Sequence, residues 1–391
     1  MRNYLKQWPL LFSAVCLSAI SIIYELSYCK IISKFTGSPV EWEALGMGAF
    51  LLGMGFGAII LEERKKQDTA PNLSTVEFIL SIFGVSFPVA LYVFHIFYRI
   101  NYFDGGILAL ENSFQRISIF AAFALIFPFL IGLFSGMELP LLIDKSASKK
   151  SFPVLMGCYY FGALVGTLAF HNILKSNVSD LELGCYAASI NCAFFMWFRF
   201  KEKTLEKSYI SITVLPAIII YVSMIAPNLE MAQIKNFYFN VFTWEIDFTT
   251  NMSFETTVNY SKLPEYLANF EDVERHRSFY HDIDIIKFKK NDKEAFQVFI
   301  DARFQFGNES DKEYHEYMAH VPMMFNDKKV PKKVLVLGGG DGILTKELLR
   351  HSGIKSITLV DIDKTMLGLS HSHPLFLKMN HYIVRYYFLQ F

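Results

Sequence analysis

Four glycines and two aspartates carry the densest chemistry in this chain. Gly338, Gly339, Gly340 and Gly342 surround Asp341, and Asp361 follows 19 residues after Gly342. Glycine has no Cβ, so such a run turns sharply and lets a ligand approach the backbone. An acid about 20 residues beyond a glycine turn is placed to accept ribose hydroxyls. Asp341 stands where a dinucleotide phosphate would otherwise lie. A carboxylate there repels phosphate, which disfavours NAD and favours a cationic or neutral nucleoside. Gly338, Gly340, Gly342 and Asp361 are therefore the residues expected to hold the nucleoside.

A turn of this kind needs a strand before it and a helix after it. Lys333-Val-Leu-Val-Leu337 supplies strand formers, and a helical pattern runs from about Leu344 to His351. A second strand, Ser356-Ile-Thr-Leu-Val-Asp-Ile-Asp363, ends on two carboxylates. This is the order of a βαβ nucleoside-binding unit. The free N–H groups at the helix start face the ligand. Asp363 is expected to cap the next helix. Upstream, residues 280–306 read as strands: His281 to Lys289 alternates, and Ala295 to Ile300 follows the turn Asn291-Asp292, a hairpin signal. A helix from about Asp311 to Phe325 carries Tyr314, His315, Glu316 and His320, and the polar link Asn326 to Pro331 joins it to the glycine-loop strand. By residue type alone, His315 and His320 read as core or helix-surface histidines, and Gln305 as a strand-end polar residue.

The first half of the chain has another character. Hydrophobic residues make up 52% of the whole, with 39 Phe, and this excess is concentrated before residue 227. Seven stretches, about 9–32, 44–61, 76–98, 117–143, 153–174, 181–198 and 209–226, are long enough to cross a hydrocarbon layer of about 30 Å. Their lengths specify helices rather than barrel strands. Gly46, Gly53, Gly55 and Gly57 in the second span, and Gly157, Gly162 and Gly166 in the fifth, read as helix-packing positions. Glu25 and Glu138 are acids near span ends, read first as interfacial or bonded to a neighbouring helix. His95 and His171 read as interfacial. The five cysteines match neither a zinc pattern nor a disulfide framework, and no metal site is expected. A net charge of zero gives no bulk electrostatic case for nucleic acid; membrane lipid is the expected surroundings.

Alternate loops are rich in cations: Arg2 and Lys6; Arg64, Lys65 and Lys66; Lys145, Lys149 and Lys150; Arg199, Lys201, Lys203 and Lys207. The other loops have mainly Lys34, Arg99 and Lys175. The positive-inside rule makes the rich set cytoplasmic. Seven spans then put everything after Pro227 outside, whereas a domain using a cytosolic nucleoside belongs inside. The side of the C-terminal part stays open on sequence grounds.

From Tyr280 to Asn380 the chain resembles the spermidine/spermine synthase (polyamine aminopropyltransferase) family, in its membrane-anchored bacterial branch. The resemblance rests on Ile300-Asp301-Ala-Arg-Phe-Gln305, Glu313-Tyr-His-Glu-Tyr-Met-Ala-His-Val-Pro322, Val334-Leu-Val-Leu-Gly-Gly-Gly-Asp-Gly342 and Ser356-Ile-Thr-Leu-Val-Asp-Ile-Asp363, in that order. More loosely, Tyr24-Glu-Leu and Ser135-Gly-Met-Glu-Leu-Pro140 are similar to that branch. The resemblance implies an α-helical multi-span membrane domain at 1–227, a small β-rich part at 228–330, and the start of a class I methyltransferase-like (Rossmann-type) α/β domain at 331–391. It implies aminopropyl transfer from decarboxylated S-adenosylmethionine, as co-substrate, to putrescine or a related polyamine. Gln305 would line the site near the sulfonium or amine, Tyr314 and His315 would contact the polyamine, Asp341 would hold an amine, and Asp361 would bind the ribose. A multi-pass cell (inner) membrane protein, with a homo-oligomer as one further partner, completes what it implies.

The chain also departs from the family. His281 stands where the family usually has glutamine after the tyrosine, and Ser310-Asp311 where it often has Asp-Glu. After His381 the aromatic tail Tyr-Ile-Val-Arg-Tyr-Tyr-Phe-Leu-Gln-Phe391 resembles nothing in the family, as a truncated or frame-shifted end would. The proton-acceptor aspartate of the family is expected beyond the chain end, so the chain is expected to be incomplete and inactive. One βαβ unit alone should leave an apolar edge and face uncovered. Two other functions fit parts of the pattern: a membrane-anchored methyltransferase using S-adenosylmethionine, and a polyamine transporter or sensor whose working part is the seven spans.

Overall fold

The computed structural model describes residues 2–36, 39–98, 113–146, 152–174, 178–203, 209–248, 270–290, 293–301, 303–308, 311–324 and 330–380. The turn Asn291-Asp292, Ser310, Phe325, the link 326–329, the loop cations Arg99, Lys149, Lys150, Lys175 and Lys207, and the tail 381–391 lie outside them. The chain forms two compact units, Met1–Val258 and Asn259–Phe391.

The first unit is helical: α1 (Arg2–Thr36), α2 (Pro39–Lys66), α3 (Leu73–Tyr98), α4 (Ser113–Ala124), α5 (Ile126–Asp144), α6 (Phe152–Ala169), α7 (Asp180–Lys201) and α8 (Tyr209–Phe248). A π-helical turn, Phe170–Leu174, extends α6. Among the described residues, seven stretches are long and apolar enough to cross a membrane: Trp8–Phe35, Val40–Lys66, Leu73–His95, Ile117–Asp144, Phe152–Asn172, Asp180–Lys201 and Ile210–Ala232. Each overlaps one expected span, and α4 with α5 makes the fourth. α8 runs through Pro227 to Phe248 without a break, past the composition change at 227. The helices are apolar all round. Leu51, Phe56, Phe161, Leu164, Ile218 and Tyr221 face outward, while Tyr24, Tyr28, Phe50 and Leu61 are buried. A helix apolar on every face suits a lipid surround.

Glycine sets the closest helix contact. A Cβ on Gly53 or Gly57 of α2 would strike the main chain of Phe129 or Leu133 in α5, and one on Gly132 or Gly136 of α5 would strike Phe50 or Met54 in α2. Gly162 and Gly166 of α6 press on Val15 and Ala19 of α1 in the same way. Gly46 meets the Cys29 side chain, whereas Gly55 and Gly157 face open space.

Polar groups inside the bundle are mostly partnered. Glu138 accepts from Ser21 Oγ at 3.1 Å and Tyr159 OH at 3.5 Å, so it is bonded to neighbouring helices rather than interfacial. Glu25 is buried. His95 is buried too, its ring stacked 4.1 Å from that of Phe35; an interfacial place for it is not what the helix packing gives. Glu77, within the third expected span, is fully buried, with neither carboxylate oxygen hydrogen-bonded among the described residues. Lys65 pairs with Asp144 at 2.6 Å, and Lys145 with Glu202 at 3.0 Å, which gathers three cation-rich segments at one end of the bundle. Lys30 and Lys34 of α1 share Asp180, at the start of α7, at 2.9 and 2.6 Å.

The second unit begins with an antiparallel sheet of β1 (Phe270–Arg277), β2 (Asp282–Lys290), β3 (Lys293–Ile300) and β4 (Arg303–Gly307), in that order. α9 (Asp311–Met324), β5 (Lys333–Leu337), α10 (Ile343–Leu348), β6 (Ser356–Val360), α11 (Lys364–Ser372) and α12 (Pro374–Met379) follow. The second strand of the βαβ unit thus stops at Val360, and Asp361 to Asp363 form the turn beyond it. Asp363 caps α11 as expected, accepting from Thr365 N at 2.9 Å.

Ile283, Ile285, Phe296, Val298 and Phe306 of the first sheet pack on Ile343, Met366, Leu369, Phe376 and Met379. The parts on either side of residue 330 therefore share a core. β5 and β6 pair in parallel, Leu335 opposite Thr358. One face of this pair, with Val336 and Leu359, packs on Ala319, Leu348 and Leu367. On the other face Leu335 is 61% exposed and Leu337 76%. Parallel strands are ordinarily covered on both faces; here the second face is open at Leu335 and Leu337.

Candidate functional site

The glycine turn is held from three directions. Gly338 N–H donates to Val360 O at 2.8 Å, carrying the β5–β6 pairing one residue into the turn. Gly338, Gly339 and Gly342 have φ of +80°, +74° and +84°, backbone that L side chains rarely adopt. Gly340 N–H donates to Asp361 Oδ2 at 2.7 Å, and a Cβ on Gly340 would lie 2.7 Å from that same oxygen. Gly342 precedes α10, and the first N–H of that helix, from Ile343, is taken by Asp341 Oδ1.

Asp361 does more here than its expected ribose role. Its Oδ2 takes the Gly340 N–H and its Oδ1 takes the Asp363 N–H at 2.8 Å. A carboxylate has about four lone-pair sites, so each oxygen keeps acceptor capacity for a hydroxyl while the acid fixes the loop.

Asp341 is half-buried, its Oδ1 accepting from Ile343 N at 2.8 Å. Burial pushes its pKa up. The Ile343 N–H and the nearby His315 ring pull it down, and the Asp361 carboxylate raises it further. His315 is buried on α9, edge-on to Tyr314 with ring centroids 5.0 Å apart. The structure therefore brings Asp341, Asp361 and His315 together, with Tyr314 beside His315 and 62% exposed. Two neighbouring acids, one with its ionisation opposed by burial, make a place where a cation is welcome.

The other expected residues are placed differently. Gln305 is exposed on β4 and donates to the Arg303 carbonyl at 3.2 Å. His281 sits at the start of β2, its Nδ1 3.0 Å from Asp301 Oδ2. Asp301 has φ of +47° and also accepts from Asp282 N at 3.0 Å, so it ties the ends of β2 and β3. His320 lies 2.8 Å from His351 Nε2, at the far end of α9.

Sequence reading missed Asn380. Its Nδ2 donates to the Asp341 carbonyl at 2.7 Å and occupies the space that a Cβ on Gly342 would need. An asparagine after a short helix gives no sign of this, because the contact joins residues 39 positions apart.

The turn lies at the C-terminal end of a parallel strand pair, within a stretch that matches a known family model. The Spermine/spermidine synthase domain matches residues 311–381, which bears out the resemblance over the three of its four motifs that lie there. Over 378 residues the chain is 24% identical to the polyamine aminopropyltransferase of Leptospira interrogans serogroup Icterohaemorrhagiae serovar copenhageni, covering 96% of this chain and 66% of that protein. Over 377 residues it is 25% identical to the polyamine aminopropyltransferase of Oceanobacillus iheyensis, covering 94% of this chain and 63% of that protein. The chain thus spans just under two thirds of the length of these relatives, and the likeness extends into the helical half. A solved spermidine synthase in complex with the transition state analogue AdoDATO is 22% identical over 32% of this chain and 39% of its own, with a TM-score of 0.26.

Proposed function

We propose that this chain binds decarboxylated S-adenosylmethionine at the glycine turn, as the donor site of an aminopropyl transfer to putrescine or a related amine. The glycine turn and Asp361 take the nucleoside. Asp341 takes the cationic part, with His315 and Tyr314 on the amine side. In the transfer, an amine nitrogen attacks the propyl carbon next to sulfur, the C–S bond breaks, and sulfur leaves as a neutral thioether carrying the electron pair. The new ammonium then gives up a proton. In-line placement of the two substrates supplies most of the rate. The seven apolar helices would hold the site at a cell membrane as a multi-pass anchor.

The observation that carries this reading is the meeting of Asp341 and Asp361 beside His315. A methyltransferase donor differs from the decarboxylated one by a carboxylate, which Asp341 would repel. Binding of the two donors to the purified 391-residue chain separates the readings. The decarboxylated donor is expected to bind at least tenfold more tightly. Equal affinity, or preference for the intact donor, would favour methyl transfer.

A further inference from the structure

Away from the glycine turn, three side chains from distant parts of the chain converge. Strand alternation puts Glu274 and His276 of β1 on one face, and His373 arrives from the junction of α11 and α12. Glu274 Oε2 is 3.6 Å from His276 Nε2 and 3.1 Å from His373 Nε2. All three ligand atoms lie within 4.8 Å of one another. A tetrahedral ion with bonds of about 2.0–2.1 Å spaces its ligand atoms roughly 3.3 Å apart. His276 Nε2 is shut off from solvent and makes no hydrogen bond. The His373 side chain is only 10% exposed, while Glu274 and His276 are about one-third exposed.

We propose that Glu274, His276 and His373 bind a divalent transition-metal ion of the zinc type, with water in the fourth position. Two imidazoles and one carboxylate suit zinc and its neighbours. Calcium and magnesium prefer all-oxygen sets. The ion would satisfy His276 Nε2, which makes no hydrogen bond among the described residues. Lys287 holds the other oxygen of Glu274 and so orients the carboxylate for one-oxygen ligation, as outer partners do in metal sites. Its positive charge also weakens the site, and His373 Nδ1 has no acceptor. The affinity is therefore below that of a closed structural zinc site. The ion would staple β1 to the start of α12. Asn380, just past the end of that helix, bonds the Asp341 carbonyl, so occupancy would steady the glycine turn.

Zinc titrated into the full chain in detergent, read by competition with a chelating dye, tests this. One equivalent should bind. His276→Ala, His373→Ala and Glu274→Gln should each weaken binding at least tenfold. His320→Ala, which breaks the separate His320–His351 pair, should change nothing. Zinc should also slow hydrogen exchange at 374–380, a readout independent of any enzymatic activity. Glu274→Gln keeps the side-chain shape and decides the matter where a histidine variant fails to fold. Absence of saturable binding, or affinity unchanged in Glu274→Gln and both histidine variants, would overturn the proposal.

Discussion

At the scale of residues, Asp341 is tuned against itself. An acid whose pKa is raised by folding binds its proton more tightly folded than unfolded. It supports the fold below its unfolded value, and that support is lost as pH rises through the raised folded value. Asp341→Asn should therefore raise the thermal midpoint of the ligand-free chain in detergent at neutral pH, and the gain should shrink as pH falls towards roughly 4. Binding of a cationic donor should move the other way. The wild-type affinity should fall as pH drops through the raised pKa, while Asp341→Asn should bind about 10–100-fold more weakly at pH 7, the effect of losing one charged hydrogen bond, with a flat pH profile. A parallel loss of stability and binding would show that Asp341 only builds the loop. Gly340→Ala gives a second residue-level outcome: its Cβ displaces Asp361, so donor affinity should drop at least tenfold. Gly368→Ala, with open space around it in α11, should bind normally and melt slightly higher, because Ala is the better helix former.

At the scale of elements, what could be read from the sequence depended on whether the stabilising contacts were local. The seven apolar stretches and the strand–glycine–helix–strand order are periodic patterns within one segment, and they appear where expected. β1 was not legible. Phe270-Glu-Asp-Val-Glu-Arg-His-Arg277 is too charged to read as a strand, yet Arg275 forks onto Asp284 of β2 with two contacts of 2.6 Å. Burial opposes ionisation of Glu274, but Lys287 and His373 outweigh it and hold that carboxyl down to about 2. Cross-strand charges thus replace the missing apolar alternation. The second job of Asp361, the reach of Asn380 and the His373 contact 99 residues from Glu274 all arise only when distant segments meet. Helix glycines show the same distinction. Both Gly53 and Gly55 read as packing residues, but only Gly53 touches a neighbouring main chain. Gly53→Val should force α2 from α5 and lower the detergent melting temperature by several degrees, as overpacking by about 1–3 kcal/mol does. Gly55→Val should leave it nearly unchanged. Equal effects would mean the α2–α5 contact is not as close as described.

At the scale of the whole molecule, the open matter is which way the helices run. Lys65, Asp144, Lys145 and Glu202 meet at one end of the bundle, where cation-rich loops alternate with poor ones. Asp180 and Lys34 mark the other end, where α6 finishes and α7 begins. Loop cations stay on the cytoplasmic side of a membrane, so we expect the Lys65 end to face the cytosol. Gln67 is exposed in the first of these regions, and Asn172 is exposed at the close of the π-helical turn. In cells producing Gln67→Cys or Asn172→Cys, an impermeant maleimide should label Asn172→Cys in intact cells and Gln67→Cys only after permeabilisation. The reverse pattern would overturn the orientation, and equal labelling in intact cells would overturn membrane crossing itself. An odd number of crossings then carries a consequence for Lys378, exposed on α12. Lys378→Cys should label with Asn172→Cys, and the donor would have to reach the glycine turn from the non-cytosolic side. If Lys378→Cys is protected in intact cells, the donor meets it in the cytosol, and one of the seven apolar helices does not cross.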